Sequence, residues 1–159
     1  MAKKVLTKQE LLDNREQLVA EHYATHRRCA KKRVLTKKER KVLGIGKDRG
    51  VASVKHVRIS PSKVSIVRDI IIGQNLREAL AILRYTPKAA SPILSKLLES
   101  AAANAVNNNN LNRDNLYVAE LNVGKGPTMK RYIPRGKGSA SSIMKRTANI
   151  SVVLKEREA

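Results

Sequence analysis

The sequence predicts an α+β fold: a small antiparallel sheet packed against three helices, with a long protruding basic β-hairpin and a helical N-terminal extension. Three observations lead there. Between residues 51 and 154 the apolar pattern runs β-α-α-α-β-β, which packs as a sheet covered by helices. Residues 125–146 carry seven basic side chains and no acidic one. Residues 1–50 carry 15 basic and 6 acidic residues and nearly repeat one short motif. The expected organisation is therefore a basic extension over 1–50 and a globular domain over 51–159, with the extended hairpin at 120–150.

In the extension, Lys3-Lys4-Val5-Leu6-Thr7-Lys8-Gln9-Glu10 returns as Lys32-Arg33-Val34-Leu35-Thr36-Lys37-Lys38-Glu39. Each copy holds Thr-x-x-Glu, a capping box in which the side chains satisfy the first free N–H groups of a helix. The first helix is expected to run to about Arg28, and the second to stop at Gly44-Ile45-Gly46. His22, His26 and Cys29 fall at i, i+4 and i+7, which puts three possible ligands on one face. A structural zinc site needs four, so no metal is assigned. Two readings stand for the extension: added contact with RNA or a neighbouring protein, or a lineage-specific tail ordered only in part.

The globular domain opens on a Val- and Ile-rich strand, Val51 to Ile59, which runs into Ser60-Pro61, a cap followed by proline at the first helical position. Val64, Val67, Ile70 and Ile71 give this helix its apolar face, and Gly73 stops it. Asn75 with Glu78 starts the second helix, with Leu76, Ala79, Leu80 and Leu83 on one side. Thr86-Pro87 repeats the cap-and-proline device for a third helix over about 87–106. Its stripe is Ala90, Ile93, Leu94, Leu97, Leu98, Ala101 and Ala105, ended by the asparagines at 107–110. Strands follow at Leu116 to Val123 and Ala148 to Leu154; the second alternates as a half-buried strand does.

Between these strands lies KGPTMKRYIPRGKGSASSIMKR. Pro134-Arg135-Gly136-Lys137-Gly138 is the expected tip, with two glycines supplying positive φ and Pro134 opposing further pairing. Lys130 and Arg131 fall on the outgoing arm, Lys145 and Arg146 on the returning one. At about 3.3 Å per residue, Gly126 to Pro134 spans about 30 Å. So cationic an arm, with little apolar surface, is expected to be ordered by its partner.

The formal net charge of +20 opposes compaction of an isolated chain and points to a polyanion: nucleic acid, or less often an acidic membrane surface. With no Trp or Phe and four scattered tyrosines, affinity should come from phosphate contacts and shape more than base stacking. The expected RNA-binding cations are Lys63, Lys125, Lys130, Arg131, Arg135, Lys137, Lys145 and Arg146. The rival is a basic DNA-architectural protein whose β-arm enters the minor groove with Pro134 as wedge. No phosphate-binding glycine loop or paired nucleophile and base appears, so no enzyme activity, cofactor or small-molecule substrate is expected. A lone Cys29, no apolar stretch of about 20 residues and no apolar segment behind the N-terminal lysines argue for a cytoplasmic protein with no membrane partner.

Several motifs stand in a familiar order. Arg58-Ile59-Ser60-Pro61-Ser62-Lys63-Val64 is followed by Ser100-Ala101-Ala102-Ala103-Asn104-Ala105, then by Gly126-Pro127-Thr128-Met129-Lys130-Arg131. Pro134-Arg135-Gly136-Lys137-Gly138, Lys145-Arg146-Thr147 and Asn149-Ile150-Ser151-Val152-Val153-Leu154 complete the series. Residues from about Val54 to Leu154 thereby resemble the bacterial large-subunit ribosomal protein twenty-two family. The resemblance implies a structural constituent of the large subunit that binds 23S rRNA, aids assembly and lies beside neighbouring ribosomal proteins. It further implies that the hairpin lines the nascent-peptide exit tunnel, with Met129, Lys130, Arg131, Pro134, Arg135, Gly136, Lys137 and Gly138 against the nascent polypeptide and macrolide antibiotics bound nearby. Two departures stand out. Ser139-Ala140-Ser141-Ser142 follows Gly138 where the family often has another basic residue, and about 50 N-terminal residues are additional.

Overall fold

The computed structural model describes residues 7–24 and 35–157, and the chain divides into two compact units, residues 1–47 and 48–159. In the first unit, helices α1 (Lys8–Asp13) and α3 (Lys37–Val42) both begin with the expected capping box. The Thr7 and Thr36 amides donate to Glu10 and Glu39 carboxylates at 2.8 and 2.6 Å, and the glutamate amides donate back to the threonine hydroxyls. The expected single helix to Arg28 is broken. It stops at Asp13, Asn14 caps it with its side-chain amide donating to the Glu10 carbonyl, and α2 (Arg15–Ala24) resumes. Asn competes for backbone carbonyls in just this way. Leu11, Leu35 and Leu43 are buried, with Leu18 and Ile45 packed on them. Lys3 to Leu6, His26 to Arg28, Cys29 and Lys32 to Val34 lie outside the described residues, as do the metal reading's second and third ligands.

The second unit is a three-stranded antiparallel sheet ordered β1-β5-β2, from β1 (Arg49–Val57), β5 (Ala148–Glu156) and β2 (Leu116–Lys125). Helices α4 (Pro61–Ile71), α5 (Leu76–Tyr85) and α6 (Ser91–Asn109) bury their apolar stripes with one sheet face. Along β5 the alternation is strict: Ala148, Ile150, Val152 and Leu154 are buried, while Asn149, Ser151 and Val153 are only half-buried. Three expectations need correction. Ile70 is exposed, since α4 turns only Val64, Val67 and Ile71 inward. The first strand ends at Val57 rather than Ile59, at a bulge where His56 adopts φ 58°. Finally, Thr86-Pro87 does not open α6. The Thr86 hydroxyl donates back to the Ile82 carbonyl at 2.7 Å and closes α5, and α6 starts at Ser91-Pro92.

Both outer edges of this sheet are covered, which removes the exposed backbone row that invites aggregation. Asn104 and Asn109 of α6 donate their amides to the Val51 and Arg49 carbonyls of β1. On the other side, the turn after α4 pairs with β2, Gly73 N–H to the Val118 carbonyl and Val118 N–H to the Gln74 carbonyl. The β1 backbone presses so closely on α6 that a Cβ on Gly50 would run into the Ala101 carbonyl and Ala105.

Candidate nucleic-acid interface

The arm grows from the end of the sheet where β1, β5 and β2 meet at Val57, Ala148 and Lys125. Its root is fixed by backbone and side-chain bonds. Gly126 N–H donates to the Thr147 carbonyl at 2.9 Å, and the buried Thr147 hydroxyl donates to the Pro127 carbonyl at 2.7 Å. Asn149 accepts from the His56 amide at 2.9 Å, which ties the bulged end of β1 to the same corner. A Cβ on Gly126 would collide with the Thr147 hydroxyl, so glycine is required there for space. The sequence places Thr147 and Asn149 only within motifs and gives His56 no role; nothing in their local pattern shows that they meet.

Beyond the root, β3 (Met129–Pro134) and β4 (Ala140–Lys145) form a separate two-stranded antiparallel ladder, Met129 opposite Lys145 through Pro134 opposite Ala140. Every residue from 130 to 146 is exposed. The tip is where the sequence places it, but its glycines divide the work differently. Positive φ falls on Lys137 (55°) and Gly138 (74°), not on Gly136. Lys137 bears a left-handed backbone that costs a non-glycine residue about 1 kcal/mol or more. Ser139 completes the turn. Its carbonyl accepts from Arg135 N–H at 2.8 Å and its hydroxyl donates to the Gly136 carbonyl at 3.0 Å. Ser139 thus closes the tip.

Successive strand residues face opposite ways, so Lys130 lies on one face of the arm while Arg131, with Lys145, lies on the other. Lys125 ends β2, Arg146 lies between β4 and β5, and Arg135 and Lys137 sit at the tip. These seven cations share one projection. Lys63 does not join them; it is exposed on the first turn of α4. Among the described residues none of the eight forms an ion pair, whereas Arg49, Arg68 and Arg77 of the globular part pair with Asp48, Asp69 and Asp114. Between Glu120 and Glu156 there is no acidic residue to offset the arm's field. Both ladder strands also have an unpaired outer edge. The result is a two-faced cationic finger with free backbone donors and acceptors, suited to lie between phosphate groups.

The ribosomal protein L22p/L17e family model matches residues 52–155, which is the sheet, the three helices and the finger together. The chain belongs to that family. Its members are structural ribosomal proteins and not enzymes. Large ribosomal subunit protein uL22 of Acetivibrio thermocellus is 64% identical over 124 residues, covering 78% of this chain and 99% of the relative. The proteins of the same description from Clostridium perfringens and Thermoanaerobacter pseudethanolicus are each 54% identical, covering 67% of this chain and 96% of theirs. The Acetivibrio match holds more residues than the span from 48 to 159 can supply, so it reaches back into the first unit. Part of the N-terminal segment that sequence reading treats as additional therefore has a counterpart in that relative. Among the described residues no helix is long and apolar enough to cross a membrane, and no group of three His, Cys, Asp or Glu could hold a metal ion.

Proposed function

We propose that this family member binds 23S rRNA in the large ribosomal subunit, in the cytoplasm, chiefly through phosphate and shape contacts. Its finger then lies along the nascent-peptide exit tunnel, with Met129 to Arg131 and Pro134 to Gly138 as the tunnel-lining stretch and macrolides binding near it. The observation that carries this is the finger itself, seven cations with no acid beside them and no ion pair within the described chain. Such a projection gains free energy only against a polyanion, where bound counterions are released. Lys63 adds a contact from the globular part. Assembly is aided because the rRNA segments gathered around one finger are held together as they fold.

Filter binding of the full chain to transcribed 23S rRNA across a KCl series tests the reading. With six or seven phosphates neutralised, log Kd against log salt has a slope of magnitude about 5–6. The same series with random duplex DNA provides the contrast. Equal affinity for the duplex would favour a DNA-architectural protein with Pro134 as wedge and defeat the ribosomal reading. Crosslinking from position 137 to a stalled nascent chain tests the tunnel assignment separately.

A further inference from the structure

We propose that Tyr132, with Met144 beside it and Lys130 on the same face, is a stacking site for one unpaired nucleobase of the ribosomal RNA. The inference rests on the rRNA-binding reading above and deepens it, because it names a contact that phosphate attraction does not require.

The finger is less purely cationic than its charge count suggests. Tyr132 is 68% exposed and Met144 51%, with Ile133 and Ile143 also exposed. The register sorts these four side chains into two diagonal pairs. Tyr132 lies opposite Ser142 and Met144 opposite Lys130, on one face; Ile133 lies opposite Ser141 and Ile143 opposite Arg131, on the other. Diagonal neighbours on a ladder are about 7–8 Å apart, within reach of long and aromatic side chains. One face of the finger therefore presents a ring, a thioether and an ammonium group together.

The other tyrosines are placed differently. The Tyr117 ring already carries the Arg157 guanidinium at 5.7 Å. Tyr23 meets His22 edge-on at 5.7 Å, and Tyr85 ends α5 on the globular part. Only Tyr132 stands on the acid-free arm. Among the described residues no hydrogen bond, ring contact or cation engages its side chain.

The charge around the ring selects the occupant. A nucleotide brings a flat base for the ring and a phosphate for Lys130, so both parts of the face are used at once. A neutral polypeptide gains nothing from the surrounding cations, and a basic one is repelled. Stacking on an aromatic side chain tolerates any base because each has a π-face. The site therefore takes a splayed nucleotide of a loop or bulge, not a paired one.

The test compares full-length Tyr132→Ala, Tyr132→Phe and Lys130→Ala with the unaltered chain, by filter binding to transcribed 23S rRNA over a KCl series. Tyr132→Ala should weaken binding by about 5- to 100-fold at every salt concentration and leave the salt slope unchanged. Tyr132→Phe should bind as the unaltered chain does. Lys130→Ala should lower the slope by about 1. Tyr132 is exposed, so circular dichroism should show the same fold in all four proteins. Unchanged rRNA affinity in Tyr132→Ala would overturn the stacking site while leaving the rRNA reading intact. So would equal loss in Tyr132→Phe, which would assign the effect to the hydroxyl. Unchanged rRNA affinity with altered nascent-chain crosslinking would give the face to polypeptide instead. Failure of the unaltered chain to bind 23S rRNA would remove both proposals.

Discussion

Thr147 and Gly126 set the finger's direction by occupying one small volume from two sides. The threonine hydroxyl is buried and spends its proton on the Pro127 carbonyl, so it cannot be exchanged for an apolar group of the same shape without loss. Thr147→Val keeps the volume and leaves that carbonyl without its donor, at a cost of about 1–2 kcal/mol. Urea unfolding gives that number. Hydrogen exchange at the Gly126 amide, which bonds the Thr147 carbonyl, should quicken in the same variant. Gly126→Ala acts by overfilling, since its Cβ meets the Thr147 hydroxyl, and about 1–3 kcal/mol is expected. Gly124→Ala is the control. Its Cβ finds nothing nearer than the Asn149 carbonyl at 3.8 Å, so its urea midpoint should stay close to that of the unaltered chain. Equal destabilisation by the two alanines would mean that strand entropy, and not the root's packing, sets the cost.

At the scale of elements, the sheet and the finger obey different rules although both are antiparallel ladders. The sheet is closed at its edges by Asn104, Asn109 and the turn at Gly73-Gln74, and its inner face is buried. The finger has neither protection. Replacing residues 128–146 with a two-residue Asn-Gly turn should therefore leave the globular domain's stability within about 0.5 kcal/mol, because no side chain from 130 to 146 is buried. The same replacement should flatten the salt dependence of rRNA binding, since it removes six cations. A large fall in melting temperature would show that the ladder supports the core. Apolar periodicity made the three sheet strands and the three helices legible in the sequence, whereas the hairpin showed through its acid-free basic run and its Pro and Gly tip. It did not separate Thr86-Pro87 from Ser91-Pro92, as both carry the same cap-and-proline signal. Burial of Ala90 and Ser91 against the core decides between them. Nor did it reveal the root, since Thr147 bonds Pro127 from twenty positions away. The arm carries more apolar surface than its sequence suggests, because Tyr132, Ile133, Ile143 and Met144 are split between two faces, a division set by register.

For the molecule as a whole, charge and core are distributed unequally between the two units. The larger hydrophobic core, from Ala52 to Leu154, lies entirely within residues 48–159, and β1, β2, β5 and the three sheet-covering helices contribute to it. Among its described residues the first unit buries the apolar side chains of Leu11, Leu35 and Leu43, and residues 1–47 carry 14 basic against 5 acidic residues. So few buried side chains give little stabilisation to set against chain entropy, and the unbalanced charge works against compaction as well. The two capping boxes start helices but cannot stabilise a fold, at about 1 kcal/mol each. A fragment of residues 48–159 should therefore unfold cooperatively with a melting temperature within a few degrees of the full chain's main transition. A fragment of residues 1–47 should show no cooperative transition, and its helical circular dichroism should rise when a polyanion such as heparin screens its charge. Differential scanning calorimetry and circular dichroism decide both points. If residues 48–159 melted far below the full chain, the N-terminal segment would be a necessary part of the domain. That result would accord with the Acetivibrio relative, whose match extends ahead of Asp48, and would move the domain boundary back toward α3.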